Sequence, residues 1–315
     1  MEHYRTYSSY LKEKYGEKVY KLPIALPVTC PNRDGFCGTG GCTFCGEIGA
    51  GYENLPEELS ITEQIERNIA HIAPKYKAYK YIPYFQNFTN TYLPLPKFAA
   101  YVDEAAQHAD CVGLAIATRP DCIHPAYMDI LAQAKERYGT DITVELGLQS
   151  TNPHSLLAIG RGHTVGEYID AVLQIAPYGF DVCTHIIANL PWDDRVDVHE
   201  AAKIISALPV QQVKIHALYI IRHTLMAQQY TEGSIRMCSL EEYVARVVDF
   251  VELLRPDIVL QRLVGRVPEE NTLFANWGRA WWVIRDRIEE EFERRGTRQG
   301  SRCCYLGGAA VKRWV

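Results

Sequence analysis

The stretch "KLPIALPVTCPNRDGFCGTGGCTFC", residues 21–45, joins an apolar run to a loop that holds four cysteines and four glycines. The run "KLPIAL" at 21–26 is short and largely apolar, as expected of a strand buried in a parallel sheet. In barrels built from βα units, the loops after the strands carry the active site. The sequence therefore places its candidate chemistry in the cysteine loop, directly after the first predicted strand.

Six further strand-like runs follow, and helical patterns separate them along the chain. They are "YIPYFQ" at 81–86, "CVGLAIA" at 111–117, "ITVELGL" at 142–148, "DVCTHIIANL" at 181–190, "VKIHALYII" at 213–221 and "DIVLQRLV" at 257–264. A repeated βα order predicts a parallel sheet, and we predict an α/β fold of the partial (β/α)6-type TIM barrel. The last run leaves the degree of closure of the barrel open.

The chain divides into three predicted parts. The barrel occupies residues 21–265, between an N-terminal extension at 1–20 and a C-terminal helix with a basic tail at 266–315. Both extensions are predicted to be helical. The segment "SITEQIERNIAHIAPKY" opens with Ser60 and has Glu63 three residues later, which is the pattern of a helix capping box.

Composition limits the possible classes of protein. The 315 residues are 47% hydrophobic and 23% charged, which is ordinary for a globular chain. No run approaches the roughly 20 apolar residues of a membrane helix, and the first 18 residues are too polar for a secretory signal. We therefore predict a cytoplasmic protein without a membrane partner, whose ten cysteines are mostly reduced or metal-bound.

The net charge of the chain and the charge of its C-terminal tail differ in what they predict about nucleic-acid binding. The net charge of −5 gives no sign of a nucleic-acid-binding protein, which would usually carry a net positive charge. The tail, however, is basic and carries no acid after Glu293; its cations are Arg294, Arg295, Arg298, Arg302, Lys312 and Arg313. This tail is either a solvated terminus or a patch that contacts phosphates.

The residues of the cysteine loop leave two metal sites to consider. A disulfide framework does not suit a reduced compartment or a core of this size. A structural zinc site would use Cys42 and Cys45 with Cys30 and Cys37, although the spacings of six, four and two residues are unusual for zinc ribbons. Thiolates are also the normal ligands of an iron–sulfur cluster, and a [4Fe–4S] cluster held by three of them keeps one iron open.

The pattern Cys30-x11-Cys42-x2-Cys45 after the first strand resembles the radical S-adenosylmethionine (SAM) superfamily, with the stretched spacing of its Elongator catalytic subunit branch. Within that branch, "CPNRDG…GGCTFC" is similar to the YhcC/YtqA-type family, whose members usually lack a cysteine at the position of Cys37. More motifs follow in the family's order: "YFQNFTNTY" at 84–92, "ATRPD" at 117–121, "VELGLQS" at 144–150, "IGRGHT" at 159–164, "HIIANLPWDD" at 185–194 and "VKIHALYI" at 213–220.

This resemblance implies an enzyme with a [4Fe–4S] cluster that cleaves SAM to a 5′-deoxyadenosyl radical. The implied cluster ligands are Cys30, Cys42 and Cys45, which makes Cys37 the spare cysteine. The residues implied for SAM binding are Thr89, Asn90, Glu145, Gln149, Ser150 and Arg161. A flavodoxin or ferredoxin is the expected type of electron donor.

Three residues near the sixth strand are candidates for catalysis or substrate binding. Lys214 and His216 lie two apart and so on one face of that strand, and a lysine in a buried strand needs a partner. Tyr219 follows them and could stack on a base. The resemblance implies tRNA as partner, with conversion of a carboxymethylaminomethyl-uridine at the wobble position to the aminomethyl form. A radical SAM enzyme acting on a small metabolite or a protein, and a non-catalytic zinc-binding barrel, are the alternatives.

Overall fold

A seven-stranded parallel sheet forms the centre of the computed structural model, which describes residues 2–47, 49, 53–266 and 271–314. The strands are β1 (Val19–Ala25), β2 (Lys80–Gln86), β3 (Gly113–Thr118), β4 (Asp141–Gln149), β5 (Asp181–Ile187), β6 (Gln212–His216), β7 (Ile220–Ile221), β8 (Val259–Arg262) and β9 (Thr272–Phe274). The order in the main sheet is β1-β2-β3-β4-β5-β6-β8, and β7 pairs with β9 in a separate antiparallel ribbon.

Helices connect the strands and cover the outside of the curled sheet. They are α1 (Tyr7–Tyr15), α2 (Ile61–Tyr76), α3 (Leu95–Ala106), α4 (Pro125–Tyr138), α5 (Pro153–Ala158), α6 (Val165–Ile175), α7 (Arg195–Ala207), α8 (Leu225–Thr231), α9 (Leu240–Leu253) and α10 (Trp281–Arg295). The predicted capping box is present at the start of α2, where Ser60 and Glu63 exchange hydrogen bonds. The predicted α/β class and partial TIM barrel are confirmed, and the last predicted strand joins the sheet as its seventh member.

The sixth predicted strand is shorter than its apolar run. "VKIHALYII" divides into β6 and β7 because the backbone turns after His216, where the amide of Leu218 donates to Asn189 Oδ1 at 2.6 Å. Leu218 and Ile220 are buried in a small second core with Met226, away from the main sheet. Residues buried in two different cores therefore follow each other in one strand-like run, which the sequence pattern cannot divide.

The N-terminal helix α1 packs across the amino ends of the strands. The Tyr10 hydroxyl donates to Asp181 at 2.8 Å, and the Tyr15 hydroxyl donates to Asp141 at 2.7 Å. These two aspartates begin β5 and β4, and Leu11 is buried beside the same end of the sheet. The extension thus covers the amino end of the barrel, and the large cavity lies at the carboxyl ends of the strands.

The C-terminal helix α10 packs on α9 and completes the main core. Its buried side chains are Ile284, Ile288 and Phe292. Three of the six cations in the predicted basic patch are ion-paired with acids of α9 and α10: Arg294 with Glu291, Arg295 with Asp249, and Arg302 with Glu252. Within the described residues, no helix has the length and apolar character that crossing a membrane requires.

Candidate active site

A cavity of about 490 Å³ opens at the carboxyl ends of the strands. It is bounded by the cysteine loop on one side and by residues of β2, β4, β6 and β8 on the other. Ten of the residues singled out from the sequence line it: Cys30, Cys42, Cys45, Thr89, Glu145, Gln149, Arg161, Lys214, His216 and Tyr219. Two others, Asn90 and Ser150, are buried beside it and do not belong to its lining.

The "IGRGHT" segment holds the cysteine loop in place. The amide of Thr43 donates to the Ile159 carbonyl at 2.9 Å, and Asn32 Nδ2 donates to the Gly160 carbonyl at 2.6 Å. Gly162 has a φ of +78°, and a Cβ there would lie 3.1 Å from Asn32 Oδ1. The glycine therefore allows the two segments to approach each other closely.

Each of the three cavity-lining cysteines lies beside an N–H donor. Cys30 Sγ is 3.9 Å from Arg119 Nη1, Cys42 Sγ is 3.6 Å from Arg161 Nη1, and Cys45 Sγ is 3.7 Å from Arg33 Nη1. N–H donors beside ligand sulfurs tune the potential of an iron–sulfur cluster. This donor set suits an iron–sulfur cluster.

The separation of the sulfurs argues against a single ion. Four thiolates on one zinc at about 2.3 Å lie only about 3.8 Å apart. In the described part of the chain, the group whose ligand atoms all converge within 4.8 Å is Glu145, Cys183 and His185, and the loop cysteines form no such group. Glu145 is already ion-paired with two lysines, and burial raises the pKa of the Cys183 thiol strongly, so neither group is suited to a metal.

The turn after β2 exposes polar atoms to the cavity. Asn87 and Phe88 have positive φ values of 70° and 47°, which turn the chain sharply at the end of the strand. Asn90 Nδ2 holds this turn by donating to the carbonyls of Asn87 and Ala117 at 2.9 and 2.8 Å. Thr89 Oγ1 and Asn90 Oδ1 are buried without a partner. Buried polar atoms without a partner indicate a site for a polar ligand.

A glycine at the end of β4 makes room for Arg161. A Cβ on Gly147 would lie 2.7 Å from Arg161 Nη2 and 2.8 Å from Gln149 Nε2. Instead, Arg161 Nη2 donates to the Gly147 carbonyl at 2.8 Å. Gln149 has a φ of 74°, so its side chain does not follow the simple alternation of the strand. Ser150 accepts a hydrogen bond from the Asn152 amide at 3.0 Å, which gives its hydroxyl a structural role.

The floor of the cavity is a buried charge network centred on Glu145. Its carboxylate accepts hydrogen bonds from Lys21, from Lys214 at 3.0 Å and from His185 at 2.8 Å. The charges of the two lysines and the hydrogen bond from His185 hold the pKa of the fully buried Glu145 well below its usual range, against the effect of burial. Burial lowers the pKa of Lys214 to about 8, while Glu145 opposes that change.

A guanidinium completes this floor. Arg262, at the end of β8, donates from Nη2 to His216 Nδ1 at 2.7 Å. Burial and the nearby arginine lower the pKa of His216 well below its usual value, so His216 is neutral at physiological pH. The ring centroids of His216 and His185 are 5.1 Å apart. Tyr219 lies in the same lining, between β6 and β7.

Several site residues were missed from the sequence. Arg33 and Asn32 contact the cysteine sulfurs, and Lys21 and Arg262 extend the charge network. Arg119, in the motif "ATRPD", also contacts the cysteine sulfurs and is paired with Asp121. Asn32 and Arg33 stand inside the quoted cysteine motif, which was a usable signal. Lys21 and Arg262 stand in ordinary strand runs, and only the pairing of β1 and β8 with the rest of the barrel brings them inside.

Comparison with known proteins identifies the family of the chain. A model of the radical SAM superfamily matches residues 32–205, and one of the radical SAM C-terminal domain matches residues 210–294. The chain is 38% identical to protein YtqA of Bacillus subtilis, over 94% of this chain and 92% of that protein. It is 29% identical to protein YhcC of Escherichia coli, over 92% of each.

More distant similarities point the same way. The tRNA uridine(34) acetyltransferase of Dehalococcoides mccartyi is 25% identical over 54% of this chain and 36% of that protein. The fold matches that of archaeal Elp3 from Methanocaldococcus infernus with a TM-score of 0.68 at 17% identity, over 94% of this chain and 68% of that one. The chain therefore belongs to the radical SAM superfamily, as a YhcC/YtqA-type enzyme that uses a [4Fe–4S] cluster and SAM.

Proposed function

We propose that Cys30, Cys42 and Cys45 hold the cluster. The observation that carries this proposal is that these three thiols line one cavity, each beside an N–H donor, whereas Cys37 is exposed and outside that lining. When bound, the cluster together with SAM supplies a 5′-deoxyadenosyl radical that abstracts a hydrogen atom from the substrate.

We propose that SAM lies between the turn after β2 and the end of β4. Thr89 supplies a buried hydroxyl without a partner, and Asn90 holds the turn that presents it. Gln149 and Arg161 face the same cavity from the opposite side, and a guanidinium suits a carboxylate group. Ser150 does not contact SAM in this proposal; its hydroxyl accepts from the Asn152 amide and so holds the backbone that follows Gln149.

The proposed substrate is tRNA carrying carboxymethylaminomethyl-uridine at the wobble position, which is converted to the aminomethyl form. Abstraction of a hydrogen atom from the carbon between the nitrogen and the carboxylate, with loss of one further electron to the oxidised cluster, would give an imine. Hydrolysis of that imine by water would release the aminomethyl form and glyoxylate. A relative whose name specifies uridine 34 of tRNA supports this class of substrate. Lys214, His216 and Tyr219 face the space where the reacting group would lie, with Lys214 Nζ holding a proton at neutral pH. A flavodoxin or ferredoxin is the proposed electron donor, and a cytoplasmic location stays a prediction.

The test is nucleoside analysis of total tRNA from a strain that lacks this protein. We expect carboxymethylaminomethyl-uridine to accumulate, the aminomethyl form to fall, and the wild-type gene to restore both. Cys42→Ala should not restore them, and its purified product should lose the roughly four irons of a [4Fe–4S] cluster. Unchanged nucleosides in an iron-loaded, SAM-cleaving enzyme would refute the tRNA substrate and favour a small metabolite or a protein.

A further inference from the structure

Arg262 is a cation of the cavity floor without a carboxylate partner among the described residues. The ion pairs in this part of the cavity join Lys21 and Lys214 to Glu145, and none recorded for the described chain includes Arg262. Its Nη2 contacts His216, which is neutral, and its Nε is buried without a hydrogen-bond partner. A buried guanidinium N–H without an acceptor is unfavourable unless a ligand supplies one.

The charges of the floor leave room for a negative group. Lys21 and Lys214 are both paired with Glu145, and Arg262 adds a third cation beside His216. The two histidines do not change this balance at neutral pH, since burial lowers the pKa of His185 to about 4 and that of His216 further. A half-enclosed cavity with more cations than acids favours an anionic ligand.

Arg262 is placed to reach a ligand in the cavity, because it is part of the cavity lining. A Cβ at Gly265 would lie 3.4 Å from Arg262 Cζ, so a larger residue there would contact the guanidinium directly. Arg262 and Lys214 both line the cavity, on the paired strands β8 and β6, where they are register partners. Two cations therefore face the same volume from adjacent strand ends.

We propose that Arg262 binds a carboxylate group of the substrate, with Lys214 as a second cation and His216 as the residue that orients the guanidinium. This inference rests on the proposed function, in which the substrate's carboxymethyl group supplies the carboxylate. A guanidinium with Nε available matches a carboxylate better than an ammonium does. His216 accepts from Arg262 through Nδ1 and so fixes the direction of its remaining donors.

The first experiment tests the anion site without any tRNA. The melting temperature of the anaerobic holoenzyme is measured in sodium acetate and in sodium chloride at equal ionic strength. We expect acetate to raise it for the wild type and for Arg137→Gln, a control at an exposed arginine of α4. Arg262→Gln should lose the difference between the two salts, while Arg262→Lys should keep part of it. An equal effect of acetate in Arg262→Gln, or none in the wild type, would overturn the site.

The second experiment compares tRNA carrying carboxymethylaminomethyl-uridine with tRNA carrying aminomethyl-uridine. The wild type should bind the carboxylated tRNA more tightly, and Arg262→Gln should weaken that binding by roughly 10- to 100-fold while leaving the other tRNA unaffected. Iron content and SAM affinity should not change. A comparable loss of SAM affinity would instead assign Arg262 to the carboxylate of SAM and overturn the proposal.

The two experiments separate failure of this inference from failure of the proposed function. If acetate protection depends on Arg262 but the wild type converts no tRNA, the anion site stands and the substrate is a different carboxylate. If the wild type converts the tRNA and Arg262→Gln keeps the same preference for the carboxylated form, the function stands and the role of Arg262 is wrong.

Discussion

Cys37 differs from the other three cysteines of its loop in exposure and in direction. Its thiol is exposed, does not line the cavity, and lies 3.7 Å from Arg119 Nη2. We expect Cys37→Ser to keep its iron and its capacity to cleave SAM, because the three cavity-facing thiols remain. Cys30→Ser should lose both, since it removes one of those thiols. The cluster is measured by the iron and sulfide content and the visible absorption spectrum of anaerobically purified protein. The cleavage of SAM is measured by the 5′-deoxyadenosine that the reduced protein forms.

The same pair of variants can contradict the assignment. Loss of the cluster in Cys37→Ser, with retention in Cys30→Ser, would exchange their roles. Equal loss in both would indicate a site that uses all four cysteines, as the zinc interpretation requires.

His185 makes the stability of the fold sensitive to mild acid. Burial and the nearby Lys214 lower its pKa from 6.5 to about 4, so the unfolded chain takes up a proton in this range and the folded chain does not. Stability is therefore complete above about pH 6.5 and falls as the pH approaches 4, by up to about 3 kcal/mol from this residue. We expect His185→Gln to flatten that dependence.

Urea unfolding of the metal-free protein across this pH range measures the effect without interference from an acid-labile cluster. His154→Gln, at an exposed histidine, is the matched control and should leave the slope unchanged. Part of the slope should persist in His185→Gln because burial also lowers the pKa values of His163 and His216. A slope identical to that of the wild type would show that His185 is protonated in the folded protein.

At the scale of single residues, the sequence predicted the site residues that lie in recognisable motifs. It did not predict those whose role depends on a contact with a residue distant in the sequence. Cys30, Gln149 and Arg161 lie in short phrases whose order carries information, and the cavity contains all three. Arg262 has no such phrase. Its role depends on its contact with His216, which lies 46 residues earlier in the sequence. That contact exists only because β8 pairs with β6.

At the scale of single elements, the segment at 299–300 fastens the C-terminal tail to the barrel. Gln299 accepts from the Arg5 amide and donates to the carbonyls of Arg255 and Ile258, so it joins both termini to the start of β8. Gly300 has a φ of +75°, and a Cβ there would lie 2.4 Å from Pro256 Cγ. Backbone conformation and space both require glycine at this position.

We expect Gly300→Ala to lower the free energy of unfolding by about 2–4 kcal/mol, from backbone strain together with overpacking against a rigid proline ring. Gly16→Ala is the matched control, because Gly16 has the same φ of +75° with nothing within 4 Å of the added Cβ. It should cost only about 1 kcal/mol. Urea unfolding of both variants measures the difference, and equal losses would mean that the contact with Pro256 relaxes without effect.

Element order was predictable because each βα unit has its own apolar run and capping signals. The residues at which the strands end were harder to predict. β5 stops at Ile187, although Ala188 and Leu190 remain buried in the loop that follows. An apolar run indicates that its residues are buried, but a buried loop has the same apolar pattern as a buried strand. Strand ends are set by where the next element leaves the sheet, which is a tertiary property.

At the scale of the whole molecule, residues 266–315 were predicted as an appendage to the barrel, and that division stays a prediction. The contacts across it argue for one cooperative unit. Ile284 and Phe292 are fully buried in the same core as the sheet. The buried carboxylates of Asp249 and Glu252, on α9, are ion-paired with Arg295 and Arg302.

We therefore expect a fragment of residues 1–265 to lose the cooperative unfolding transition of the full chain. Deleting residues 266–315 would remove Ile284, Ile288 and Phe292 from the main core and expose the apolar face of α9, at about 1.5–3 kcal/mol for each large apolar side chain lost from the core. It would also remove both arginines that pair with Glu252. The apolar loss alone is a large part of the net stability of a domain. Far-UV circular dichroism and urea unfolding measure the result, with the single variant Arg295→Gln as a milder test of the same contact. A fragment that unfolds cooperatively at the midpoint of the full chain would establish residue 265 as a domain boundary.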